Sequence, residues 1–259
     1  MNIFVLIKQV PDTETKIKIK GGGAGIETGD IKWIINPYDE FAIEEAIKTK
    51  DKIKAGAVTV VTVGPDRVVE ALRTALAMGC DNAVHVKTDA DFSDGYVASE
   101  ALAAVCKKQG AELVFTGKQA IDDDQCAVFG YVSELLDWPS ASVVVKCDID
   151  AGAKKAKVER EVEGGGRHTI EMSVPCVVAV NKGINTPRYA SLPGIMKAKK
   201  KEIQSYGLSD LGVTATASNV TDSDYQLPPE RKAGKKIDGD PAAQAKELVR
   251  LLHEEAKVL

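Results

Sequence analysis

The stretch Gly117-Lys118-Gln119-Ala120-Ile121-Asp122-Asp123-Asp124-Gln125-Cys126-Ala127-Val128-Phe129-Gly130 decides how this chain folds. Ahead of it, Glu112-Leu113-Val114-Phe115-Thr116 reads as a short buried strand. Behind it, Val128, Tyr131, Val132, Leu135 and Leu136 recur at helical spacing. The stretch is therefore a strand-to-helix turn, with a glycine at the strand end and carboxylates placed to cap the helix. In an open parallel α/β sheet, ligands bind at such turns. A capped helix with a tight leading turn accounts for the same residues without any ligand.

Outward from this turn, the alternation of strand and helix repeats. Residues 3–7 form a continuous apolar run, as a strand covered on both faces requires. Residues 8–13 read as a loop, because Pro11 cannot donate to a ladder. Lys16-Ile17-Lys18-Ile19-Lys20 alternates and predicts an edge hairpin closed by Gly21-Gly22-Gly23. After Trp33-Ile34-Ile35, Asp39 starts a helix carrying Phe41, Ala42, Ala46 and Ile53. Residues 58–63 are a β-branched strand, and Asp66 is placed to cap a helix that stops at Gly79. A strand at 83–86, a loop at 91–94, a helix at 96–108 and a strand at 143–145 complete a parallel sheet with helices on both faces.

Beyond Lys146 the pattern changes. Residues 156–162 and 168–172 flank Glu163-Gly164-Gly165-Gly166-Arg167, which signals a hairpin. Residues 176–180 are a further buried strand. Residues 181–201 show little periodicity but carry a basic run, Lys197, Lys199, Lys200 and Lys201. Residues 202–239 are polar and read as an extended arm. Asp240-Pro241 opens a last helix, with Leu248, Leu251, Leu252 and Ala256 on one side. That stripe needs a covering surface, and a partner subunit is the simplest one.

Bulk properties narrow the function. The chain has 259 residues, 44% hydrophobic and 28% charged, with a formal net charge of −4. This fits a globular protein with a substantial core and gives no global reason to expect nucleic acid or anionic membrane as partner. Cys80, Cys106, Cys126, Cys147 and Cys176 are widely spaced, and His85, His168 and His253 are scattered, so no metal-ligand spacing arises. The cysteines read mostly as buried thiols. The chain opens on a strand without a signal-peptide pattern, and no apolar run is long enough to span a bilayer. The expected location is cytoplasmic or the mitochondrial matrix, without membrane insertion.

Three strand ends, Ile7-Lys8-Gln9, Val63-Gly64-Pro65 and Gly117-Lys118-Gln119, should gather at one edge, with Asn36-Pro37-Tyr38-Asp39 beside them. Glycines there let a ligand approach the backbone, and a helix start can receive a phosphate. No GxGxxG, no GxxxxGK[ST] and no nucleophile elbow is present. Asp122-Asp123-Asp124 read as capping, solvated carboxylates rather than metal ligands. The lysine run reads as a solvated face, or more sharply as a docking surface for an acidic partner.

Several segments together resemble the beta subunit of electron-transfer flavoproteins. They are Val5-Leu6-Ile7-Lys8-Gln9-Val10-Pro11-Asp12, Asn36-Pro37-Tyr38-Asp39-Glu40, Leu72-Arg73-Thr74-Ala75-Leu76-Ala77-Met78-Gly79, Gly117-Lys118-Gln119-Ala120-Ile121-Asp122-Asp123-Asp124 and Asn185-Thr186-Pro187-Arg188-Tyr189-Ala190-Ser191-Leu192-Pro193. The segment Val158–Gly165, with Ile170 and Pro175-Cys176-Val177-Val178-Ala179, looks like the family signature. It departs from that signature at His168, where the family prefers Glu or Gln.

The resemblance implies a doubly wound, mostly parallel, Rossmann-like α/β domain over residues 1–200 with an added β-hairpin. A C-terminal arm ending in a helix, 201–259, would contact an alpha subunit. It implies an electron carrier rather than an enzyme. The FAD would be held mainly by the alpha subunit, with AMP or a second FAD in beta. Nucleotide contacts carry over to Leu6, Asn36, Pro37, Tyr38, Asp39, Val63, Gly117, Lys118, Gln119, Ala120, Ile121, Asp122, Asp123, Asp124, Gln125, Cys126, Ala127 and Val128. Docking of an acyl-CoA dehydrogenase-type flavoenzyme carries over to a loop at about 185–200, at Tyr189, Leu192, Pro193, Ile195, Met196 and Lys197. Relatives place small polar residues and a glycine after the three aspartates, where this chain has Gln125, Cys126, Ala127, Val128 and Phe129. The expected consequence is a weakened phosphate site. Two other readings are a bifurcating complex that oxidises NADH at a second FAD, and a stand-alone adenine-nucleotide sensor.

Overall fold

The computed structural model describes residues 1–54, 56–89, 94–214, 218, 220–230 and 233–259. The chain divides into two compact units, Met1–Tyr225 and Gln226–Leu259. The first is built on a nine-stranded sheet. Its strands are β1 (Asn2–Leu6), β4 (Ala57–Gly64), β5 (Asn82–Lys87), β6 (Leu113–Gly117), β7 (Ser140–Asp150), β8 (Lys155–Glu161), β9 (Arg167–Ser173), β10 (Cys176–Val180) and β11 (Gln204–Gly207). Their spatial order is β11-β5-β4-β1-β6-β10-β7-β8-β9. Pairing is parallel from β11 through β7 and antiparallel in the β7-β8-β9 extension. A short two-stranded ribbon, β2 (Gln9–Pro11) with β3 (Trp33–Ile35), stands apart from it.

Each apolar run divides its side chains between two layers. Ile3, Val5 and Ile7 of the first run face one core, shared with Leu113 and Phe115 of β6 and Val178 of β10. Helices α1 (Pro37–Ile53) and α2 (Val69–Met78) cover it with Ala42, Ile43, Ile47, Leu72 and Leu76. Phe4 and Leu6 face the other core with Val114, under α3 (Gly95–Lys108) and α4 (Val128–Leu136), through Leu102, Val105, Val132 and Leu136. A strand run with no polar side is therefore read correctly as buried on both faces.

The doubly wound fold, the hairpin at β8–β9 and the capped last helix follow the sequence reading. That helix, α6 (Pro241–Arg250), starts at Asp240, whose carboxylate accepts the N–H groups of Ala242 and Ala243.

Other details differ. Residues 9–11 form a strand despite Pro11, because the proline ends a ribbon and no sheet interior needs its missing donor. The lysine-isoleucine alternation at 16–20 forms only a minimal hairpin: one antiparallel bridge, Ile19 to Ile26, flanked by Lys20 N–H to Gly25 C=O and Glu27 N–H to Lys18 C=O around the glycine turn. Asp66 opens a 3₁₀ turn and pairs with Lys87 instead of capping α2. Of the loop expected at 91–94, residues 91–93 lie outside the described residues; Asp94 caps α3 through Tyr96 N–H.

The segment read as aperiodic contains helix α5 (Leu192–Lys200), capped by the Ser191 hydroxyl on Gly194 N–H. Within the expected arm, β11 adds a strand beside β5. Both elements are short and stand at the edge of the molecule, where only one face needs apolar residues.

Candidate functional site

The strand order puts β1 between β4 and β6. The chain winds one way from β1 and then the other, so their carboxyl ends open a crevice at the reversal. Leu6 ends β1, Val63 and Gly64 end β4, and Gly117 ends β6. The structure thus brings these residues together with the start of α1.

Asn36 and Asp39 tie the crevice together. The Asn36 side chain donates to Gln119 C=O at 2.8 Å and accepts from Ile121 N–H at 3.2 Å. It stands in for a missing strand neighbour. Asp39 is buried, and its carboxylate accepts Lys8 N–H at 2.7 Å and Gly117 N–H at 3.0 Å. Its role differs from the one read in sequence: α1 begins at Pro37, and Asp39 joins the ends of β1 and β6 instead of starting the helix. Burial raises its carboxyl pKa, to about 7, against the opposing pull of the Lys8 and Gly117 N–H groups and of Asn36.

Gly117 is required by proximity. A Cβ there would stand 2.6 Å from Tyr38 Cβ and closer still to the Asp39 carboxylate. Lys118 follows, with its ammonium 5.3 Å above the Tyr38 ring, a cation–π contact.

The acidic turn does not cap α4. The N-cap is Ala127 and makes no side-chain bond. Asp122 and Asp123 instead hold Lys8, at 2.9 Å and 2.7 Å. Burial works against the Lys8 ammonium, but the two carboxylates outweigh it and hold its pKa above the ordinary lysine value. Asp124 accepts from the Gln119 amide at 2.6 Å, and the Gln119 carbonyl faces Cys126 Sγ at 3.7 Å. Asp124 and Cys126 have φ of +50° and +53°, so the turn is tightly wound. Sequence reasoning missed the role of Lys8, which lies 114 residues from Asp122. A lone lysine beside an apolar strand gives no local sign of its partner.

In the remaining half of the turn, Gln125 and Cys126 are exposed and the apolar residues after them are half-buried. Val128 and Phe129 lie against the second core. A Cβ on Gly95 would meet Gln125 Oε1 at 2.8 Å and Val128 Cγ2 at 3.3 Å, so both side chains are seated on the start of α3. Ala120 and Ala127 are half-buried.

A second cluster lies at α5. Tyr189 is 97% exposed, Leu192 76% and Met196 55%, with Ile195 beside them. Pro193 and Lys197 are also exposed. The helix is held from below. Arg73 of α2 donates to the carbonyls of Ala198 and Lys201. The Lys201 ammonium donates to the carbonyls of Cys80 and Asp81, both at 2.8 Å. Lys201 is therefore an anchor, whereas Lys197, Lys199 and Lys200 face solvent. Arg188 makes a two-pronged ion pair with buried Glu44, at 2.7 and 3.0 Å.

Cys80, Cys106 and Cys176 are buried, with burial pushing their thiols up to about 12; Cys126 is exposed. Among the described residues no helix is long and apolar enough to cross a membrane, and no His, Cys, Asp or Glu cluster is arranged for a metal.

Residues 24–211 match the family model described as "Electron transfer flavoprotein domain". Over all of both chains, the sequence is 45% identical to "Electron transfer flavoprotein subunit beta" of Bacillus subtilis (strain 168). It is 38% identical to the mouse protein of that name, over 97% of this chain and 99% of the other. To "Electron transfer flavoprotein subunit beta, mitochondrial" of Arabidopsis thaliana it is 38% identical over the full length of both.

Proposed function

Because the chain belongs to the electron transfer flavoprotein family, as a beta subunit, we propose that it carries electrons in a heterodimer with an alpha subunit, from a flavin-dependent dehydrogenase of the acyl-CoA type to a downstream acceptor. The chain breaks no substrate bond itself. Its expected setting is the cytoplasm of a prokaryote or the mitochondrial matrix. The dimer's FAD, which supplies the redox chemistry, is held mainly by alpha. This chain contributes a wall to that assembly, an adenine-nucleotide crevice and a docking surface.

The observation that carries this reading is the gathering of Leu6, Val63, Gly117, Asn36 and Asp39 at one sheet reversal. Apolar strand ends and close backbone suit a nucleoside. The donor set of the following turn suits a phosphate poorly, since its carboxylates repel one and its last residues are apolar.

Docking rests on Leu192 and Met196, exposed on a helix whose underside is fixed. A rigid apolar projection loses little entropy on binding. Lys197, Lys199 and Lys200 would steer an acidic partner. The test is electron transfer by the purified heterodimer. Leu192→Ala should lower kcat/KM towards the dehydrogenase by about tenfold or more, with FAD content and spectrum unchanged. An unchanged kcat/KM would place docking elsewhere.

A further inference from the structure

We infer that the crevice at the ends of β1, β4 and β6 recognises the uncharged nucleoside part of an adenine ligand and rejects its phosphates, so that this chain prefers adenosine-type ligands to AMP or to the pyrophosphate of a second FAD. The inference rests on the adenine-ligand reading above and goes beyond it in naming the ligand's charge.

The argument is one of donor chemistry. A phosphate dianion beside this crevice needs cations, N–H groups or hydroxyls to replace its water. Between Gly117 and Gly130 no side chain carries a hydroxyl. The Gln119 amide is engaged by Asp124. The Gln125 side chain sits on the start of α3, where Gly95 makes room for it. Val128 and Phe129 are apolar, half-buried and packed against the core, and their side chains carry no donor.

One cation at this edge, Lys8, is shared between Asp122 and Asp123. Freeing it for a phosphate would leave two carboxylates facing that phosphate without a counter-charge. Lys118 remains over the Tyr38 ring, and with Lys8 it supplies two positive charges at this edge against the three carboxylates of Asp122, Asp123 and Asp124. The charge around the helix start is therefore negative on balance, which opposes the favourable field of the α4 N-terminus. Leu6 and Val63 are apolar and indifferent to ligand charge.

The test is calorimetric titration of the intact heterodimer, after removal of loosely held nucleotide, with adenosine and with AMP. A working phosphate site would give AMP about tenfold or greater preference. The expected result is adenosine binding at least as tightly as AMP, with one FAD per dimer. Asp123→Asn, which removes one carboxylate and leaves Asp122 to hold Lys8, should tighten AMP severalfold relative to adenosine. That change in ratio is one a merely structural role would not produce. AMP retained at one per dimer through purification, or preferred tenfold, overturns the inference while leaving the crevice as an adenine-nucleotide site. Binding of neither ligand overturns both.

Discussion

Gly117 and Asp39 define one another. The glycine gives its N–H to the carboxylate, and the carboxylate occupies the space a side chain would need. Gly117→Ala should destabilise the protein by about 1–3 kcal/mol through overpacking, measured by denaturant unfolding. Asp39 also makes a pH prediction. Its carboxyl pKa is raised on folding from an ordinary 3.8 to about 7. Between those values the folded state binds more protons than the unfolded state, so stability falls as pH rises through that window. The full difference is on the order of 4 kcal/mol. Asp39→Asn, which cannot titrate, should flatten the slope of stability between pH 4 and pH 7; an identical slope in the two proteins would mean that folding leaves the Asp39 pKa unchanged. Neither role was legible locally. Asp39 reads in sequence as a helix-starting residue, and only the approach of β1 and β6 turns it inward.

At the scale of elements, strands were the most legible and α5 the least. Residues 3–7 are apolar throughout and residues 58–63 are β-branched throughout, with Thr59 and Thr62 buried among valines, because both faces are covered, and that burial leaves a direct mark on composition. Helix α5 buries Ala198 and exposes most of its length, so periodicity has almost nothing to register. Its position comes from Arg73, Lys201 and the Arg188–Glu44 pair, all joining residues more than a hundred apart in sequence. Arg73→Met keeps the side chain's length and removes its donors. It should cost about 1–3 kcal/mol and speed hydrogen exchange across 192–201 ahead of the sheet strands. Uniform exchange with wild type would show that the guanidinium is dispensable for holding α5.

For the molecule as a whole, the second compact unit matters most. Helix α6 buries none of its residues, and Leu248 and Val249 are exposed. An amphipathic helix with no covered face is a poor stand-alone structure and a ready binding element. Limited proteolysis of the chain produced alone should cut first within 226–259. Co-expression with the alpha subunit should slow that cut by about tenfold or more; equal rates would mean that alpha does not cover the helix.

Local patterning along the chain encodes the alternation of buried strands and amphipathic helices, and from that the doubly wound sheet. Those signals are local, since burial and helical period are written in neighbouring residues. It also placed Leu6, Val63 and Gly117 at one edge, because topology follows from the alternation. Charge pairing was decided only in three dimensions. Asp122 and Asp123 look like caps, yet they hold Lys8, and Lys201 looks like a solvated charge, yet it anchors α5. An ionic partner is selected by distance across the fold, and nothing in the neighbouring residues encodes it. The turn at 117–130 shows both limits: its place at the crevice is legible from one strand and one helix, while the use of its side chains depends on β1, α1 and α3 closing around it.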